Sequence, residues 1–191
     1  MIAGIVFGFH GCERDVAERA LLNQEALKPS DNAYDWLGEG IYFWENDPVR
    51  AFEFARDTKK CNDPFVIGAV IDLGNCLDMT CRTGANIISS HWEEHVKELY
   101  QRGEIKPNKE TPRGENGELI LRFLDCTVIK MLHHFNDEIG LLPYDSVRAA
   151  FWEGKELYPT AGFHEKNHIQ LCIRNPEHCI KTVFLPKGYK L

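Results

Sequence analysis

The sequence lacks any apolar run near the roughly 18 residues that a membrane-spanning helix needs, so a span is excluded as a reading of it. The apolar stretch at residues 2–9 has no positive flank and no small-residue cleavage site, so no secretory leader is legible. No internal repeat and no low-complexity tract is present. Positive charge is also scarce: 22 Lys and Arg stand against 29 Asp and Glu, a formal charge of −7. An acidic chain is a poor general binder of nucleic-acid backbones, which need a basic surface. Lys106, Lys109 and Arg113 form one mildly basic stretch, but Glu104, Glu110 and Glu115 dilute it to a solvated loop. A matched set of metal ligands is missing too. Cys76-x4-Cys81 has no second pair at zinc-ribbon spacing, and the adjacent His133 and His134 would diverge by about 100° on a helix. The seven cysteines are odd in number, which with no leader predicts free thiols in a reducing cytoplasm.

What is there suits one domain over residues 1–191. The length and the 43% apolar content support a single core, which at this size buries about 70% of the unfolded surface. Residues 2–9 read as a buried strand and residues 15–27 as a helix with Val16, Ala20 and Leu21 on one face. A short strand over 40–44 follows, then a helix capped by Asn46 or Asp47 with Pro48 in its first turn. Residues 65–73 are a second buried strand. Residues 87–100 and 119–135 are amphipathic and helical, the latter with a possible break near Cys126-Thr127. Residues 103–117 are polar and loop-like, and residues 151–166 are irregular. Residues 168–174 and 180–185, joined by Asn175-Pro176-Glu177, predict a hairpin.

Two segments carry chemistry that composition does not explain. Phe9-His10-Gly11-Cys12 ends the first strand, placing a polar ring at a core edge before a glycine that lets backbone approach a ligand. Taken alone, His10 reads better as a satisfied core histidine before an ordinary turn. In Gly38-Glu39-Gly40-Ile41-Tyr42-Phe43-Trp44, period-two alternation sends Tyr42 and Trp44 to one face and Ile41 and Phe43 to the other. One face can be core while Tyr42 lines a cleft.

Together these segments resemble the poly(ADP-ribose) polymerase-like branch of ADP-ribosyltransferases, named for a His–Tyr–Glu triad on three strands. The chain is similar to short bacterial proteins of that class, several of them in toxin–antitoxin or phage-defence settings. The resemblance implies an α+β fold, a split β-sandwich of two packed, mostly antiparallel sheets forming a cleft. Flanking helices and a helical insert over about residues 85–140 complete it. It implies NAD⁺ as co-substrate, release of nicotinamide, and transfer of ADP-ribose to a macromolecular acceptor, protein or nucleic acid. A partner antitoxin protein also belongs to that setting.

By the same resemblance His10 holds the adenosine-side ribose, the Gly11 backbone reads the nicotinamide carboxamide, and Tyr42 stacks on the cationic ring. Phe54 falls where the family places a second aromatic, though core packing explains it as well. The third position departs from the pattern: Gln170 stands where the family has glutamate. Glutamine can hydrogen-bond a ribose hydroxyl but supplies no charge to the oxocarbenium-like state and takes no proton. Three readings stay open. Gln170 orients the ribose of a mono-transferase, Glu165 reaches in from the preceding loop, or only NAD⁺ binding remains. Phe163 and His164 of that loop are candidates for acceptor contact, His164 as a proton acceptor. An NAD⁺ glycohydrolase and a non-catalytic NAD⁺ or ADP-ribose binding module are the rival functions.

Overall fold

The computed structural model describes residues 4–110 and 119–191, so part of the 103–117 loop, including Arg113 and Glu115, lies outside the described residues. The chain runs β1 (Ile5–Glu13), α1 (Arg14–Leu22), β2 (Ile41–Glu45), α2 (Pro48–Glu53), β3 (Pro64–Asp72), β4 (Cys76–Asp78), α3 (Arg82–His91), α4 (Lys97–Gln101), α5 (Phe123–Glu138), β5 (Ser146–Phe151), β6 (His168–Ile173), α6 (Pro176–Cys179) and β7 (Ile180–Phe184). Single π-helical turns extend α2 over Phe54–Thr58 and join α3 to α4 over Trp92–Val96. This is an α+β architecture around one mixed sheet of order β4-β5-β6-β2-β1-β3-β7. Among the described residues only β4 and β5 pair in parallel.

The expected alternation in β2 decides how the sheet is covered. Ile41 and Phe43 join Cys12, Ile67, Ile71, Leu171 and Ile173 on one face, which α1 closes with Ala17 and Ala20. Tyr42 points to the other face, where Leu37, Leu77, Val147 and Cys172 pack against Ile129 and Leu132 of α5. Helix α2 starts as its sequence predicts: the Asp47 carboxylate accepts the Arg50 N–H, and Pro48 needs no such partner. Among the described residues no helix is long and apolar enough to cross a membrane.

Three expectations are corrected. The seven strands form one hydrogen-bonded ladder, not two separate sheets; its narrowest joint is β1–β2, paired only at Gly8↔Glu45 and Phe9↔Trp44. The predicted hairpin of residues 168–174 and 180–185 does not form. Between them Asn175 caps the short helix α6 through the His178 N–H; β6 pairs with β2 and β5 while β7 crosses to the edge of β3. Helix α5 runs unbroken through Cys126 and Thr127, whose hydroxyl bonds the Phe123 carbonyl. Neither β4 nor β5 is read as a strand from the sequence.

Candidate active site

The site is built where β1 leaves β2. Strand β1 stays matched to β3 from Ile5 to Glu13, but its ladder to β2 stops at Phe9. Beyond that point the His10 side chain spans the gap, its Nδ1–H donating to the Tyr42 carbonyl at 2.7 Å. Burial, with the nearby Lys59 ammonium, lowers the His10 pKa to about 4 against the opposing pull of that hydrogen bond. The ring is therefore neutral, with its Nε2 lone pair uncommitted. Phe9 faces Trp44 across the ladder, so His10 lies on the opposite side, with its ring 5.6 Å from that of Phe43.

Gly11 is required by packing. A Cβ there would lie 2.0 Å from the Ala51 carbonyl oxygen, so only glycine lets α2 seat against β1. Its own carbonyl has the Lys59 Nζ at 3.5 Å. The Tyr42 hydroxyl donates to the Gly38 carbonyl at 2.6 Å and accepts from the Leu37 N–H at 2.9 Å. The ring thus clasps the Gly-Glu-Gly turn, and burial pushes its pKa up. Gly40 allows the same closeness from below, because a Cβ would meet Cys172 Sγ at 2.5 Å.

The face that carries Tyr42 also carries Trp44, Gln170 and His168. Register sets this: Tyr42 opposes Cys172, Trp44 opposes Gln170, and Phe151 opposes His168. Phe54 packs on Trp44 with ring centroids 4.9 Å apart. His168 sits among Phe151, Trp36 and Trp44, at 5.7, 6.1 and 6.4 Å between rings. The Arg122 guanidinium stacks 4.4 Å over Trp36 and 5.1 Å over Phe151. Arg50, from α2, bonds both Glu53 and Glu153 at 2.7 Å.

Most of the unpartnered buried polar atoms among the described residues gather here. They are Trp44 Nε1, Arg50 Nε, Arg122 Nε, Asn167 Oδ1, His168 Nε2 and Gln170 Oε1; the others are ring nitrogens of His91 and His133. Proteins rarely bury such groups without partners, so a cluster of them marks a place prepared for one. No protein-family model, curated protein or solved structure matches the chain. The site's meaning therefore rests on its geometry.

The residues expected from sequence separate into two sets. Tyr42, Phe54 and Gln170 share one face, Phe54 through its contact with Trp44, and His10 reaches it only through the Tyr42 backbone. Glu165 stands apart: its backbone N–H bonds the Lys155 carbonyl and its side chain is exposed. The His164 Nδ1–H donates to the Gly154 carbonyl at 2.9 Å. Sequence reasoning missed Arg50, Arg122, Glu153 and His168 as site residues. Arg50 and Glu153 are 103 positions apart and meet only through the fold, so no local spacing could reveal them.

A recess of about 430 Å³ is lined by Asn86, His91, His95, Leu132 and Phe135 of α3, its π-helical turn and α5.

Proposed function

We propose that the chain is an NAD⁺-dependent mono-ADP-ribosyltransferase, moving one ADP-ribose unit to a macromolecule with release of nicotinamide. The observation that carries this reading is the pair Trp44–Gln170. An unpartnered indole N–H and an unpartnered amide oxygen, both buried, oppose each other on adjacent strands. A ribose hydroxyl donates and accepts at once, so it suits a site that offers one acceptor and one donor. The rings of Trp44 and Phe54 supply aromatic surface for a flat pyridinium. The resemblance of His10-Gly11 and the Gly-Glu-Gly-Ile-Tyr-Phe strand to the polymerase-like class supports the same assignment.

Glutamine at position 170 favours single transfer over polymer synthesis, because it hydrogen-bonds the ribose without adding charge. The segment between β5 and β6 presents Trp152, Leu157, Tyr158 and Phe163 to solvent. That apolar and aromatic surface supports a macromolecular acceptor better than water.

Incubation of the protein with labelled NAD⁺ and cell extract, followed by separate protease and nuclease digestion, tests the reading. The expected result is free nicotinamide and label fixed to one polymer. Gln170→Ala should reduce transfer on the order of 10²–10³, as removal of one such donor or acceptor does in other enzymes. Nicotinamide release with no label on either polymer would reassign the chain as a glycohydrolase.

A further inference from the structure

We propose that His168 is the catalytic proton acceptor of this site, its Nε2 taking the proton of the nucleophile that attacks the nicotinamide ribose, with Glu153 steadying the imidazolium formed. The inference rests on the transferase reading and adds to it a residue that neither motif contains.

Four observations converge on the imidazole. Its Nδ1–H donates to the Lys166 carbonyl at 2.8 Å, which fixes the tautomer and leaves Nε2 as the basic nitrogen. That Nε2 is buried and has no partner. The side chain is 1% exposed and the Glu153 carboxylate lies 3.8 Å from Nδ1. A base oriented at one nitrogen by a backbone carbonyl, with a carboxylate close by and no partner at the other nitrogen, is an arrangement that can activate a nucleophile. Finally, His168 is two residues from Gln170 on the same face of β6, which puts the base beside the atom proposed to hold the ribose.

The alternatives within the site do not meet these conditions. Gln170 takes no proton and Glu165 is exposed; His164, whose Nδ1–H likewise donates to a loop carbonyl, is only half-buried. Burial lowers the His168 pKa from 6.5, with Arg50 acting in the same direction; the Lys166 carbonyl, Glu153 and Asp47 oppose it. Arg122 adds positive charge over the Trp36 and Phe151 walls. The net result is an imidazole that is neutral, and so able to accept, at pH 7.

The step balances as follows. The C1′–N1 bond of NAD⁺ breaks and its electron pair stays on nicotinamide, which leaves neutral. The acceptor's oxygen or nitrogen bonds C1′, and its proton passes to Nε2 and then to water. The products are the ADP-ribosylated acceptor, nicotinamide and one proton.

The test is the pH dependence of kcat for transfer in the wild type, His168→Asn, His168→Gln and Glu153→Gln, with KM for NAD⁺ and thermal unfolding measured alongside. Asparagine keeps the donor to Lys166 and glutamine keeps a polar atom near Nε2, so one variant covers a folding failure of the other. In the wild type kcat should fall as pH drops through a single ionisation below 6.5. Either His168 variant should lose about 10²–10⁴ in kcat, the worth of a positioned general base, with KM kept and the acid limb abolished. Glu153→Gln should move that limb to lower pH, because the charged imidazole loses its carboxylate. An acid limb that survives in both His168 variants, or near-wild-type kcat in them, overturns the assignment while leaving the transferase reading intact. A wild-type protein that neither binds nor consumes NAD⁺ overturns both.

Discussion

Buried polar atoms without partners are costly, so the residues that keep them deserve separate explanations. At Trp44, Gln170 and His168 the explanation proposed above is a bound substrate. At His133 the ring is buried and both nitrogens lack partners among the described residues. Burial, with Arg174 and His91 close by, lowers its pKa to about 3. Unfolded, the same imidazole takes a proton near 6.5. The unfolded state therefore binds more protons between these values, and this group's contribution to stability is lost as pH falls from about 6.5 towards 3. His10, lowered to about 4, acts in the same direction over a shorter window. His133→Leu should remove its share of that acid sensitivity and raise stability at pH 7 by about 1–3 kcal/mol, the cost of an unsatisfied buried group. Chemical denaturation at pH 5 and pH 7 checks this; a destabilised leucine variant would show that the ring has a partner in solution.

At the scale of elements, the motif glycines act through helix and strand contacts before any ligand arrives. Gly11→Ala would drive a methyl into the Ala51 carbonyl and lift α2 from β1. Overpacking of this kind costs about 1–3 kcal/mol, and because α2 carries Arg50 and leads to Phe54, transfer should fall with stability. A Gly11→Ala protein of unchanged melting temperature would contradict the packing account. The elements around this contact were legible in sequence for physical reasons: β1 and β3 are continuous apolar runs, and α2 has a capping Asp47 and a leading Pro48. The β6–β7 hairpin was misread because Asn-Pro serves a tight turn and a helix N-terminus equally well. Here Asn175 caps α6, and the open edge of β3 takes the last strand. Strand β4 is three residues long, and β5 contains Arg148, bonded to Glu45 and Asp78, so neither shows a clean alternation.

At the scale of the whole molecule, two groups of strands meet at the two-residue β1–β2 joint. His10 bridges that joint from one side, and the Arg50–Glu153 pair ties α2 to the segment after β5 on the other. Strand order decides which side chains converge, and no spacing within the sequence encodes it. That is why Tyr42 and Gln170 could be named from the motif while His168, Arg50 and Glu153 could not. The central claim is that NAD⁺ occupies the Trp44 face of this joint. The indole N–H resonances of Trp36, Trp44, Trp92 and Trp152, assigned by single Trp→Phe variants and followed during NAD⁺ titration, test it most directly. The Trp44 signal should shift saturably while that of Trp92, on the π-helical turn between α3 and α4, stays fixed; a Trp44 signal unmoved by NAD⁺ would contradict the account.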